Sequence, residues 1–149
     1  MFRGIENVTI AVKDIEAAIA QYNVVLGREP NTRGTNGTMQ TAWYDLDHSS
    51  IELVQDDDPN STVGRFMTRT GGGLYYVALH TDDPTETVAD LRAKEVRLFG
   101  DPGDGVKIYN EAFVHPAAAS GVLIRILPVG YREAHRAAYQ AGQGAEEAR

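Results

Sequence analysis

The sequence has no cysteine, no excess of basic residues and no long hydrophobic run. Without cysteine, disulfides, thiolate metal ligands and cysteine nucleophiles are excluded. A formal net charge of −7 at pH 7 argues against general nucleic-acid binding and against binding to an acidic membrane surface. No apolar stretch approaches transmembrane length, and the amino-terminal residues lack the pattern of a signal peptide. We therefore expect a cytoplasmic protein with no nucleic-acid or membrane partner.

The chain contains an internal repeat. Residues 7–22, NVTIAVKDIEAAIAQY, align with residues 76–91, YVALHTDDPTETVADL. Both segments read as a strand, an acidic cap and an amphipathic helix. In the later segments SIELVQ and LIRILP, Glu52 aligns with Arg125. The ordered agreement indicates two copies of one module.

The length and composition fit one ordinary domain made of these two copies. The chain has 149 residues, 42% hydrophobic and 23% charged, which is enough for a packed core. We expect a single domain over residues 1–149. Its parts are a first module at about 4–66, a second at about 72–130 and a helical tail at about 131–149.

Capping residues and alternation define the expected elements. Asp14 and Gly27 bound the first helix, and Asp83 followed by Pro84 begins the second. The segment GREPNTRGTNG reads as turns and TRTGGG as a flexible joint. Strands are expected at 5–12, near 38–46, at 50–55, from 74, near 106–114 and near 121–128.

Strand alternation selects the side chains that line a cleft. Two units of this kind suggest an α+β fold in which two sheets curve around a shared cleft. Arg125 is a charged residue within an apolar strand, so it requires a partner, a water-filled cavity or a ligand. The residues expected on the cleft side are Asn7, Thr9, Ala11, Glu52, Val54, Tyr76, Ala78, His80, Leu123, Arg125 and Leu127.

Four segments resemble a known superfamily. They are IENVTIAVKDIEAAIAQYNVVLG, SIELVQ, GGGLYYVALHTDD and FVHPAAASGVLIRILP. They are similar to the vicinal oxygen chelate (glyoxalase/bleomycin resistance/dioxygenase) superfamily, and within it most like methylmalonyl-CoA epimerase-like proteins. The resemblance runs from about residue 4 to 128. It implies tandem βαβββ modules around a central cleft, and a homodimer.

The resemblance also implies a divalent metal held by four positions, which here are Asn7, Glu52, Tyr76 and Arg125. Only Glu52 is an orthodox ligand, because asparagine and neutral tyrosine bind transition metals poorly and arginine opposes a cation. We therefore expect no metal and no other cofactor, although a divalent metal remains the alternative.

The same four positions suggest chemistry next to a carbonyl. We expect a metal-independent isomerase, epimerase, cyclase or lyase acting on an acyl-CoA or a small carboxylate or ketone. Glu52 would be the base, Arg125 the anion stabiliser and Tyr76 a proton or hydrogen-bond donor. One alternative is that Glu52 and Arg125 form only a structural ion pair. Others are a non-catalytic drug-sequestering protein and a metal-dependent enzyme like methylmalonyl-CoA epimerase or lactoylglutathione lyase.

Further side chains are candidates for binding the substrate. His80 reads more readily as a hydrogen-bonded histidine at a strand end than as a proton shuttle. Either Trp43 or Tyr44 should face the cleft and the other a helix or a partner subunit, and His48 and His135 are expected to be exposed. The substrate-binding candidates are Asn7, Thr9, Trp43, His80, Glu111 and Leu123.

Overall fold

The computed structural model describes residues 1–108 and 112–140. The chain divides into two compact units. The first-repeat unit is Asn7–Tyr75, and the second-repeat unit combines Met1–Glu6 with the chain from Tyr76 onward. None of the helices in the described part of the chain is long and apolar enough to cross a membrane.

The first-repeat unit has a strand–helix–strand–strand–strand order followed by one more helix. Its elements are β1 (Phe2–Ala11, of which residues 7–11 lie in this unit), α1 (Ile15–Leu26), β2 (Thr32–Asn36), β3 (Met39–Asp45), β4 (Ser50–Asp56) and α2 (Thr62–Thr70). The strands are ordered β2-β3-β4-β1. The β2–β3 and β3–β4 pairs are antiparallel, and β4 runs parallel to β1.

The second-repeat unit follows the same pattern. Its elements are β5 (Gly73–Thr81, of which residues 76–81 lie in this unit), α3 (Pro84–Ala93), β6 (Leu98–Phe99), β7 (Phe113–Val114), β8 (Ile124–Pro128) and α4 (Tyr131–Gln140). The strands are ordered β6-β7-β8-β5, with β8 parallel to β5 and the other two pairs antiparallel. The predicted fold class, α+β with two tandem βαβββ modules, is confirmed.

The predicted caps define α1 and α3. The Asp14 side chain accepts a hydrogen bond from the Ala17 amide, and Gly27 ends α1 in the left-handed conformation with φ 65°. The Asp83 side chain accepts from the Glu86 amide in the same way. These capping residues were sufficient to predict where α1 and α3 begin, because a cap acts within a single helical turn.

Each unit has an apolar core between its sheet and the helix of its repeat. In the first-repeat unit α1 covers one sheet face, and in the second α3 does so. The first cluster contains Ile15, Ala18, Ile19, Ala42, Tyr44 and Leu53. The second contains Val88, Ile108, Ala112, Val114 and Ile126. The opposite sheet face of the first-repeat unit carries the polar residues described below.

Three element predictions were wrong. GREPNTRGTNG contains strand β2, because pairing with β3 compensates for residues of low strand propensity. The expected flexible joint TRTGGG begins inside a helix that was not predicted, α2, which is capped by the Ser61 side chain. Of the strand expected near 106–114, residues 106–108 and 112 are not in a strand and Phe113–Val114 form β7; residues 109–111 lie outside the described part. A two-residue strand, β6, precedes β7. The tail forms α4 as expected up to 140, and its remainder lies outside the described residues.

Candidate functional site

A row of buried polar side chains lies on the sheet face of the first-repeat unit that α1 does not cover. Strand register places Thr9 and Trp43 on either side of Glu52, and Asn7 beside Ser50. Side chains directly opposite in adjacent strands share a face. Asn7 and Thr9 are each 1% exposed and Glu52 is 7% exposed, so these three side chains are shielded from solvent.

Three of these side chains form one hydrogen-bond chain. Asn7 Nδ2 donates to Thr9 Oγ1 at 2.8 Å, and Thr9 Oγ1 donates to Glu52 Oε2 at 2.6 Å. A hydroxyl has one proton to donate, and here it is directed to the carboxylate. Hydrogen bonds to a charged acceptor are short and strong, so Thr9 orients the Glu52 carboxylate.

The two adjacent aromatic residues of β3 face opposite ways, as predicted. Tyr44 faces α1, where its hydroxyl donates to Asn23 Oδ1 at 2.8 Å. Burial raises the pKa of the Tyr44 phenol, with Glu29 adding to the shift. Trp43 is paired with Glu52 on the other face.

In the second-repeat unit, aromatic rings surround Arg125. Its Nη1 donates to the Tyr76 hydroxyl at 3.1 Å. The guanidinium carbon lies 5.7 Å from the Tyr76 ring centroid, 5.8 Å from that of Phe113 and 5.4 Å from that of Tyr131. Aromatic faces attract a guanidinium and hold its plane. The Arg125 guanidinium, a charged group within an apolar strand, is therefore held in place by one hydrogen bond and three aromatic rings.

His135 on α4 lies close enough to Arg125 to be affected by its charge. The prediction that His135 is exposed was wrong, because the side chain is partly buried and its ring lies 5.7 Å from that of Tyr131. Burial lowers the pKa of His135, and the positive charge of Arg125 lowers it further. The neutral imidazole is therefore favoured beside the guanidinium.

His80 is tied to a buried carboxylate. Its Nδ1 lies 2.5 Å from Glu6 Oε2, while Glu6 Oε1 accepts a hydrogen bond of 2.8 Å from the Arg132 amide at the start of α4. The interpretation of His80 as a hydrogen-bonded histidine is confirmed. A role in substrate binding stays a prediction. The Glu6 carboxylate lies where a helix amino terminus favours negative charge.

The remaining candidates have simple placements. Leu123 lies just before β8, and its carbonyl oxygen accepts from the Val77 amide at 3.1 Å. Glu111 lies outside the described residues. His48 is exposed, as expected.

Sequence reasoning missed Glu6, Phe113, Tyr131 and His135. Two adjacent buried residues, Glu6 and Asn7, interrupt the alternation of β1, and alternation alone selects only one of them. The aromatic spacing of Tyr131 and His135, four residues apart on a helix, was the available signal for a common face.

The residues present do not fit the divalent metal that the resemblance implies. The Tyr76 oxygen accepts a hydrogen bond from the Arg125 guanidinium, and the positive charge of Arg125 opposes a metal cation at this oxygen. Within residues 1–108 and 112–140, no three histidine or carboxylate side chains are grouped to hold a metal ion. We derive no chemical step through a metal.

Comparisons with known proteins identify the superfamily. A family model for the glyoxalase/bleomycin resistance protein/dioxygenase superfamily matches residues 6–113. Mitochondrial methylmalonyl-CoA epimerase from Bos taurus is 28% identical over 127 residues, which are 82% of this chain and 72% of that protein.

Solved structures agree with this match. The crystal structure of methylmalonyl-CoA epimerase from Mycobacterium tuberculosis has a TM-score of 0.71 and 27% identity, covering 88% of this chain and 91% of that one. A Streptomyces coelicolor methylmalonyl-CoA epimerase variant in complex with 2-nitronate-propionyl-CoA has a TM-score of 0.71 and 25% identity, covering 87% and 99%. The predicted resemblance to methylmalonyl-CoA epimerases is confirmed, and the chain belongs to the glyoxalase/bleomycin resistance protein/dioxygenase superfamily.

Proposed function

We propose that this protein is an isomerase of the epimerase type that moves a proton on the carbon next to an acyl-CoA carbonyl. The observation that carries the proposal is the buried Glu52 carboxylate, oriented by the Thr9 hydroxyl at 2.6 Å. A fixed, desolvated carboxylate is suited to removing a proton from carbon. The similarity to methylmalonyl-CoA epimerases supports the choice of substrate class.

The proposed step transfers a proton to the Glu52 base. The bond between the α-carbon and its hydrogen breaks, the proton goes to a Glu52 carboxylate oxygen, and the electron pair delocalises onto the thioester oxygen as an enolate. Return of the proton from Glu52 restores the thioester with its original configuration. A proton delivered to the opposite face by a second donor inverts it, and Glu52 and the donor then exchange protons with solvent to reset. No oxidant or reductant is consumed, and no metal is required for the balance.

The assignment of Arg125 and Tyr76, in the second-repeat unit, to binding the anion stays a prediction from the sequence, and their own surroundings support it. A guanidinium stabilises a carboxylate or a developing enolate in place of a metal cation. The hydrogen bond from Arg125 to the Tyr76 oxygen polarises the phenol and makes it a better hydrogen-bond or proton donor. The three aromatic rings around Arg125 restrict its movement, which lowers the cost of ordering it around an anion.

Replacement of the base tests the proposal. Wild-type protein is expected to exchange the α-proton of methylmalonyl-CoA or a related thioester for deuterium in D₂O. The Glu52→Gln substitution is expected to lower the rate of this exchange at least about 100-fold. Exchange is followed by NMR or mass spectrometry after exhaustive chelation, with bound metal measured in the same sample.

Glu29→Gln is the matched control, because Glu29 is exposed and the charge change is the same. If Glu52→Gln retains wild-type exchange, Glu52 is not the base. If wild-type protein binds the thioester but exchanges no proton, the protein is a binder rather than an enzyme. Exchange that disappears on chelation and returns with a divalent metal would overturn metal independence.

A further inference from the structure

Two hydroxyls on the sheet face of Glu52 are buried without a partner in the part of the chain that the structure describes. Ser50 Oγ and Thr41 Oγ1 have no hydrogen-bond partner among the described residues. Ser50 is 1% exposed and Thr41 is 5% exposed. A buried hydroxyl without a partner loses its hydrogen bonds to water and gains none in return. Alanine or valine would avoid that cost, so each hydroxyl needs an explanation.

Strand register gives the two hydroxyls different surroundings. Ser50 is paired with Asn7 across to β1 and lies two residues from Glu52 on the same face of β4. Thr41 is paired with Val54, which belongs to the apolar cluster of Ala11 and Val63 under α2. Ser50 therefore lies beside the polar side chains of Asn7 and Glu52, and Thr41 lies beside apolar side chains.

We propose that Ser50 is a substrate-binding residue whose hydroxyl donates a hydrogen bond to the carbonyl oxygen of the acyl group that Glu52 deprotonates. This inference rests on the proposed function. The thioester oxygen gains negative charge as the α-proton moves to Glu52, so the hydrogen bond from Ser50 strengthens during the step. Ser50 keeps its own proton throughout. The ligand class is an oxygen acceptor on an acyl-CoA.

The test separates a substrate contact from a structural one. Ser50→Ala is expected to lower kcat/KM for α-proton exchange about 100-fold. The melting temperature without ligand should stay unchanged or rise, because no protein hydrogen bond is lost. Ser50→Thr, which keeps the hydroxyl, should restore part of the rate. Thr41→Val removes the other unpaired hydroxyl without changing the side-chain shape and should leave kcat/KM unchanged.

A pair of ligands tests the contact directly, independently of turnover. By calorimetry, Ser50→Ala should weaken binding of a methylmalonyl-CoA thioester about tenfold. It should leave unchanged the binding of the matching thioether, in which a methylene replaces the carbonyl. Equal loss for both ligands, or unchanged kinetics with a lower melting temperature, would overturn the role of Ser50.

The outcomes also distinguish failure of the inference from failure of the function. If wild-type protein exchanges the α-proton and Ser50→Ala does so equally well, only the role of Ser50 is wrong. If wild-type protein binds the thioester without exchange, the ligand pair still decides the role of Ser50 in binding. If neither ligand binds wild-type protein, both the substrate class and the Ser50 contact are refuted.

Discussion

At the scale of single residues, Thr9 determines how Glu52 is held. The Thr9 hydroxyl receives one hydrogen bond from Asn7 and gives one to Glu52, so all three side chains are oriented as one chain. Asn7 occupies a position where the resemblance implies a metal ligand. Here its amide orients Glu52, the proposed base, through Thr9. Thr9 and Asn7 are therefore positioning residues in the proposed reaction.

Loss of the Thr9 hydroxyl should affect turnover more than binding. Thr9→Val keeps the side-chain shape but removes the donor to Glu52, and kcat is expected to fall about tenfold or more while KM changes little. Thr9→Ser keeps the donor and should restore most of kcat. Steady-state kinetics of α-proton exchange provide the measurement. A rise in KM at constant kcat would instead indicate that Thr9 contacts the substrate.

At the scale of elements, the Glu6 carboxylate joins β1, β5 and α4. One oxygen lies against the His80 ring on β5, and the other accepts from the first turn of α4. The helix that supplies Tyr131 and His135 to the surroundings of Arg125 is therefore held at its amino terminus by a residue of the first strand. The His80 ring lies close to the backbone of β1 at Gly4, which limits the size of the side chain that this position can carry.

Gly4 is the residue that accommodates the His80 ring. A Cβ at Gly4 would lie 2.9 Å from His80 Nε2, so Gly4→Ala must displace a ring that Glu6 holds. We expect the substitution to lower the free energy of unfolding by about 1–3 kcal/mol, measured by denaturant titration. In a His80→Ala background the same substitution should cost much less. An equal cost in both backgrounds would show that the strain lies elsewhere.

At the scale of the whole molecule, the two units repeat one strand pattern with different side chains. In each unit the last strand of the repeat runs parallel to the first. The equivalent positions carry a carboxylate, Glu52, in one unit and a guanidinium, Arg125, in the other. The repeat therefore preserved the backbone while the chemistry of the two copies diverged, because sheet pairing depends on the main chain and alternation rather than on these polar side chains.

The stability of the whole chain should respond to pH through His135. Its pKa is lowered from the ordinary value of 6.5 by burial and by Arg125. Below about pH 6.5 the unfolded chain binds a proton that the folded chain binds less readily, so the free energy of unfolding falls as the pH falls. Thermal unfolding between pH 5 and 8 measures this loss.

His135→Gln removes the titrating ring, and the variant should lose less stability than wild-type protein below pH 6.5. His48→Gln is the control, because His48 is exposed, and it should follow the wild-type curve. If His135→Gln also follows the wild-type curve, other groups govern the acid response and the assignment to His135 is wrong.

The sequence predicted the elements and side chains whose signals are local. Capping by Asp14 and Asp83 acts within one turn, and alternation in β1 and β4 placed Asn7, Thr9 and Glu52 on one face. The helix α2 escaped prediction because its glycine, Gly64, argues against a helix. A Cβ there would collide with the Asp58 carbonyl oxygen, and that requirement is visible only in three dimensions.

By itself the sequence determined the repeat, the α+β class and the polar residues of the strands, because periodicity and capping are properties of neighbouring residues. The tertiary structure alone decided the pairing of Glu6 with His80 and with the Arg132 amide, since these groups are 74 and 126 residues apart in the chain. It also decided that α4 brings Tyr131 and His135 to Arg125. Contacts over such distances depend on how helices and strands pack, and no local pattern specifies them.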